Sequence, residues 1–194
     1  MRFAKESILD YKKIKLSKNK DRFIYGNVKG WQVKGKIKGN THQVIGIDPG
    51  VNFGFVVIDK EDVYVYYGKA NTRPKNERVE YSLDVKNLTE YIINILHGFY
   101  QRTCVVEGAA YGKRFGQVQL AEVRNGFFLG CRKYSNNVYV SPPATIRKVA
   151  FGGGNIHGPE LFPTLNHNAA DAIGVALMAL DMENNHGNDN LSVL

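Results

Sequence analysis

Three acidic residues sit where the surrounding sequence is apolar. Asp48 closes the run Val44-Ile45-Gly46-Ile47, and Glu107 closes Cys104-Val105-Val106. Asp171 stands inside Ala169-Ala170-Asp171-Ala172-Ile173-Gly174-Val175-Ala176. A lone carboxylate taken out of water is costly unless it is hydrogen-bonded, paired or bound to a metal. Singly, each has a bland structural explanation as an Asp-Pro-Gly turn, a strand-end cap or a helix-start cap. Three together point to one shared site. Hard oxygen donors clustered in this way suit Mg2+ or Mn2+. Two such ions about 4 Å apart clamp the attacking and leaving oxygens of a phosphodiester.

The elements that must position these residues follow from patterning. Val44–Asp48 reads as a short buried strand, ended by the Pro49-Gly50 turn. Phe53–Ile58 and Val63–Tyr67 read as two more strands, so close in sequence that an antiparallel meander is expected. Ser82 stands as an N-cap before an amphipathic helix over 83–101. Thr103–Glu107 reads as a fourth strand, 116–134 as a helix and Asn137–Val140 as a fifth strand. Pro142 and Pro143 open a short helix to about Lys148, a loop carries Pro159 and Pro163, and a last helix covers His167–Met182. Residues 183–194 read as a polar, frayed tail. Strands in a meander followed by alternating helices and strands imply an α/β fold, a five-stranded mixed sheet with helices on both faces. If the first and fourth strands are neighbours, Asp48 and Glu107 lie on chains about 5 Å apart, and a helix beside them delivers Asp171.

Charge divides the chain. The 194 residues carry a formal net charge of +8. Residues 1–42 hold 12 Lys/Arg against 3 Asp/Glu, while 43–194 hold 14 against 15. A near-neutral body, residues 43–182 with its tail, thus carries a basic N-terminal arm suited to a polyanion. Residues 1–20 are polar and Lys-rich, as befits either an unstructured tail or an ordered arm. Arg22–Val28 and Trp31–Ile37 are strand-like, joined at Lys29-Gly30, so 22–38 reads as a hairpin. Lys34 and Lys36 on it are candidate phosphate contacts. No stretch approaches 18 apolar residues, which argues against a transmembrane helix and a membrane partner. Met1–Glu6 has no apolar run behind its charges, so a secretory signal is not expected and an intracellular, DNA-associated location is. Cys104 and Cys131, the only cysteines, read as reduced core thiols.

Here the motifs resemble a family. Ile45-Gly46-Ile47-Asp48-Pro49-Gly50 followed by Gly54-Phe55, then Val105-Val106-Glu107, Pro143-Ala144-Thr145-Ile146-Arg147-Lys148, the 152–154 glycine run and Ala169-Ala170-Asp171-Ala172 resemble, in that order, the RuvC-type Holliday junction resolvases. The likeness covers about residues 43–182. It implies a ribonuclease H-like fold and a homodimeric endonuclease that nicks two opposed strands of a four-way DNA junction, with two divalent metals (Mg2+ or Mn2+) per active site. Asp48, Glu107 and Asp171 match three of the family's four metal-binding acidic positions. The fourth lies three residues before the last Asp and is Asn168 here, with His167 beside it. Three readings stand: Asn168 is a weaker neutral ligand, His167 takes over as ligand or proton-transfer group, or an acidic residue has been replaced to trap a substrate complex. The family also places an aromatic wedge three residues after the glutamate. Position 110 is Ala, so Tyr111 becomes the candidate for base stacking, worth ~1–3 kcal/mol per base. Lys113, Arg114, Gln117, Arg147 and Lys148 are candidate phosphate contacts, although each alone reads equally as a solvated surface residue.

The main rival is a junction-binding, architectural protein with weakened catalysis, favoured by Asn168. An actin-like phosphotransferase shares the opening motif but needs two such domains. An RNA-guided transposon nuclease needs a guide-binding lobe and zinc ribbon that this sequence lacks.

Overall fold

The structure, a computed structural model, describes residues 8–19, 22–25, 33–34, 43–59, 62–69, 78–93, 102–108, 117–135 and 137–189. Eight strands and five helices follow one another as β1 (Ile8–Asn19), β2 (Arg22–Tyr25), β3 (Val33–Lys34), β4 (Gln43–Asp48), β5 (Asn52–Asp59), β6 (Asp62–Lys69), α1 (Arg78–Tyr91), β7 (Arg102–Glu107), α2 (Gln117–Arg132), β8 (Asn137–Ser141), α3 (Pro143–Phe151), α4 (Gly158–Leu161) and α5 (His167–Asp189). They form one sheet in the order β3-β2-β1-β6-β5-β4-β7-β8.

The expected five strands make its centre. β4, β5 and β6 run as an antiparallel meander, and β4–β7 and β7–β8 pair in parallel. Side chains alternate across this centre, so each strand feeds two cores. Val44, Val56, Ile58 and Val105 face α3, α4 and α5. Ile45, Ile47, Phe55 and Val106 face α1 and α2. Strands buried on both faces explain why β4 and β7 read as continuous apolar runs rather than alternating ones.

The sheet is wider than the body alone would make it. β1 pairs antiparallel with the free edge of β6, from Ile8↔Lys69 to Lys15↔Asp62. β2 and β3 continue outward as an antiparallel pair, Arg22↔Lys34 and Phe23↔Val33. On sequence alone 1–42 stood apart from the body. The open edge of β6 instead offers a row of unpaired backbone groups that β1 satisfies.

Helix boundaries differ in instructive ways. α1 begins at Arg78, so Ser82 is an interior residue and not an N-cap. Its Oγ donates to the Glu122 carbonyl at 2.7 Å and ties α1 to α2. The two helices lie close because Gly126 faces Ser82 and Val85, and Gly130 faces Thr89; an added Cβ would come within 2.5–2.7 Å of them. Phe127 is in the core against Phe53, with ring centroids 5.4 Å apart, whereas Leu129 is exposed. Pro159, expected in a loop, lies in the single turn of α4. α5 runs on to Asp189, past the expected stop at Met182. Asn185 Nδ2 donates to Asp181 Oδ2 at 3.2 Å on these added turns, and no proline interrupts them. Both cysteines are free and buried.

Candidate active site

The site is built at one end of the sheet. Asp48 ends β4 and Glu107 ends the neighbouring parallel strand β7. The ladder runs Val44↔Thr103, Gly46↔Val105 and Ile47↔Val106. Residues 44, 46 and 48 therefore share a face with 103, 105 and 107, and both carboxylates belong to the face covered by α5.

α5 reaches them because two glycines let it lie flat on the sheet. An added Cβ on Gly46 would stand 2.0 Å from the Ala176 backbone nitrogen. One on Gly54, which pairs with Asp48, would stand 2.0 Å from the Asn168 carbonyl oxygen. Real Cβ atoms do not approach so closely, so any larger residue would lift the helix. α5 thus starts at the Asp48 end of the sheet. At the far end, Glu183 meets the Thr103 hydroxyl. Its N-terminus, and with it the positive end of the helix dipole, lies beside the carboxylates.

Asn166 caps this helix, its Oδ1 accepting from the Asn168 N–H at 3.0 Å. Asp171, in the second turn, is held by neighbours of its own. Its Oδ1 accepts from the Gly158 N–H at 3.0 Å, and His167 Nδ1 stands 3.3 Å from its Oδ2. Asn168 Nδ2 lies 3.5 Å from Asn166 Oδ1. His167 thus joins the acidic group through Asp171, while the Asn168 side chain bonds back to the cap.

The electrostatics join the three carboxylates. Burial pushes Asp48 well above the usual aspartate value, and the negative charges of Glu107 and Asp171 push it further. Glu107 is pushed up to about 7 by burial and then by Asp171. Arg147 pulls both down, and Arg124 pulls Glu107 down. Two guanidiniums therefore offset only part of three crowded carboxylates. Arg124 was not evident in the sequence. Its Nε donates to the Glu107 carbonyl at 3.0 Å, and burial lowers its own pKa. The available signal was an arginine beside Val123 on a helix otherwise read by its apolar residues.

Among the described residues no three His, Cys, Asp or Glu side chains converge tightly enough to hold an ion as they stand. The donor set itself fits a divalent cation: hard oxygens, buried, and repelling one another. Asp171 already has protein partners at both oxygens. Of the candidate nucleic-acid contacts, Arg147 lies on α3 within reach of the acidic group and Lys148 is exposed beside it. Gln117 begins α2 and Lys34 lies in β3. Tyr111, Lys113, Arg114 and Lys36 lie outside the described residues.

A mixed sheet with its meander on one side, helices on both faces and carboxylates at two adjacent strand ends defines a ribonuclease H-like α/β fold. No protein-family model matches the sequence, and no curated protein does. Among solved structures the chain is similar to the Thermus thermophilus RuvC structure, at 16% identity and a TM-score of 0.51, over 75% of this chain and 96% of that one. It is equally similar to T. thermophilus RuvC in complex with Holliday junction substrate, at 16% identity and a TM-score of 0.51, over 71% and 92% of the two chains. The fold is RuvC-like. Among the described residues no helix is long and apolar enough to cross a membrane.

Proposed function

We propose that the chain is a divalent-metal-dependent endonuclease that resolves four-way DNA junctions by paired symmetric nicks. The observation that carries this reading is the acidic group: Asp48 and Glu107 share one face of adjacent strand ends, Asp171 comes from the helix laid over them, and Asp48 is raised by the charges of both others. Asp48, Glu107 and Asp171 would hold two Mg2+ or Mn2+ ions, with Asn168 or His167 completing the set. Bound there, divalent ions would activate water for in-line attack on phosphorus and stabilise the departing 3′ oxygen. Arg124, fixed to the Glu107 backbone, keeps a guanidinium at that strand end. Arg147, whose charge acts on both Asp48 and Glu107, would supply a second cation from α3 for a phosphate. The fold neighbour bound to a Holliday junction supports branched DNA as the substrate class. Symmetric cutting requires two sites, hence a homodimer.

The test is cleavage of a synthetic four-way junction beside a Y-fork and a linear duplex, with Mg2+ and with Mn2+. The wild type should cut the junction in preference. Asp48→Asn should bind it and leave it intact; full cleavage by that variant would overturn the assignment. One observation favours a second reading, a junction-binding protein with weakened catalysis: Asn168, at a position where the resemblance implies Asp or His, is neutral and bonds to the helix cap. Binding without cleavage by the wild type in either metal would establish it.

A further inference from the structure

The acidic group has a cation on each side of the sheet. Arg147 comes from α3, which packs on the α5 face, and its charge acts on both Asp48 and Glu107. Arg124 comes from α2, on the opposite face, and its charge acts on Glu107. The helix direction explains how it gets there. β7 and β8 are parallel, so α2, which joins the end of one to the start of the other, begins at the active-site end. Long side chains on a helix lean toward its N-terminus, and Arg124 therefore leans toward the carboxylates.

Its Nε donates to the Glu107 carbonyl at 3.0 Å. That bond uses one donor and leaves both amino groups of the planar fork. Among the described residues the ion pairs are Lys86–Glu90, Lys133–Glu90 and His167–Asp171, and Arg124 belongs to none of them. It is half-buried, and burial lowers its pKa against the charge of Glu107. A neutral donor or a water would satisfy a strand-end carbonyl without that cost. A charge drawn partly out of water and left without an ion pair calls for an anion. With Glu107 committed to a divalent ion, the counter-charge it offers is spent, and the backbone of bound DNA supplies the replacement. Arg124 is tied to the Glu107 end of the acidic group rather than to Asp48, so the anion it meets lies beside the reacting phosphate and not over it.

We propose that Arg124 is a DNA-binding residue of the active site, whose amino groups take the phosphate next to the scissile one on the Glu107 side while its Nε bond to the Glu107 carbonyl holds the fork in place. This rests on the reading of the chain as a DNA nuclease and adds a residue that fixes the register of the cut strand. Arginine suits it because one rigid plane serves a carbonyl on one edge and a phosphate on another.

The test is a methylphosphonate scan of the strand around the cut, read as junction binding by the full chain in EDTA. Each methylphosphonate removes one phosphate charge. At the phosphate next to the scissile one the wild type should lose about tenfold in affinity, and its slope of log K against log salt should fall by ~0.9. Arg124→Gln should show the same two changes on the unmodified junction. Combining the variant with that methylphosphonate should add nothing further. A clasp that only holds β7 in place predicts instead losses that multiply at every phosphate, and that result overturns the proposal. So do unchanged binding by Arg124→Gln and coupling confined to the scissile phosphate itself. Should thermal unfolding show that Arg124→Gln does not fold, Arg124→Lys takes its place, since it keeps the charge without the fork. A loss of affinity that vanishes on the methylphosphonate junction supports the contact, and an undiminished loss overturns it. Coupling at one phosphate with no cleavage in Mg2+ or Mn2+ leaves the contact standing and refutes the nuclease reading; cleavage with no coupling does the reverse.

Discussion

Gly54→Ala is the substitution that most directly tests how the site is assembled. The new Cβ would lie 2.0 Å from the Asn168 carbonyl oxygen and 2.8 Å from the Ala172 methyl. Ordinary contact begins at 3.4 Å and 3.0 Å is already tight, so the start of α5 must rise from β5 by about 1.0–1.4 Å. The obstacle is helix backbone, which cannot swing aside as a side-chain tip can. Asp171 lies one turn beyond Asn168 and would be carried away from Asp48 and Glu107. A misplacement of about 1 Å in a catalytic group costs on the order of 10²-fold in rate. Overpacking of this kind costs roughly 1–3 kcal/mol of stability. Single-turnover junction cleavage, run well below the melting temperature of each variant, reads the first effect, and thermal unfolding reads the second. Gly174→Ala is the matched control. It lies on the same helix, yet the three atoms nearest its Cβ would all belong to the Phe151 ring, the first at 2.7 Å. That ring can turn, so stability should fall without the hundredfold loss of rate. A folded Gly54→Ala protein cleaving at the wild-type rate would refute the idea that helix height sets the site. Equal losses of rate in both variants would refute it too.

The acidic group makes a pH prediction. Glu107 is pushed from 4.5 to about 7, and Asp48 is raised well above 3.8. The folded chain therefore keeps protons that the unfolded chain releases between roughly pH 4 and 7, so stability without metal should fall as pH rises through that window. Glu107 alone accounts for roughly 3 kcal/mol of the fall. Mg2+ bound there as proposed would relieve the same repulsion, so its thermal shift should be larger at pH 8 than at pH 5.5; equal shifts would count against a metal at this site. Asn168→Asp should raise both the Mg2+-induced thermal shift and the cleavage rate, since it adds a carboxylate at the departing position. A rate unchanged by that substitution, with His167→Ala abolishing cleavage, would assign the fourth role to His167.

The sequence by itself determined the central strands and the three acids. Apolar runs of five or six residues ending in Asp48 and Glu107 mark buried strands, because only a doubly covered strand has no polar side. An acid within an alanine-rich helix is equally legible, because its burial is costly without a purpose. Three features were decided only by tertiary structure. Ser82 looked like a cap because caps and helix contacts use the same hydroxyl, and only the approach of α2 shows which it is. The Lys-rich strand β1 carried no burial signal because it pairs through backbone groups at an edge, and those groups are the same in every residue. Gly46 and Gly54 read only as members of their strands, and their purpose is the space they leave for α5. Residue types in a run report what a strand avoids, water or unpaired charge. What another element needs from it is a distance, and distances between remote segments exist only once the chain has folded.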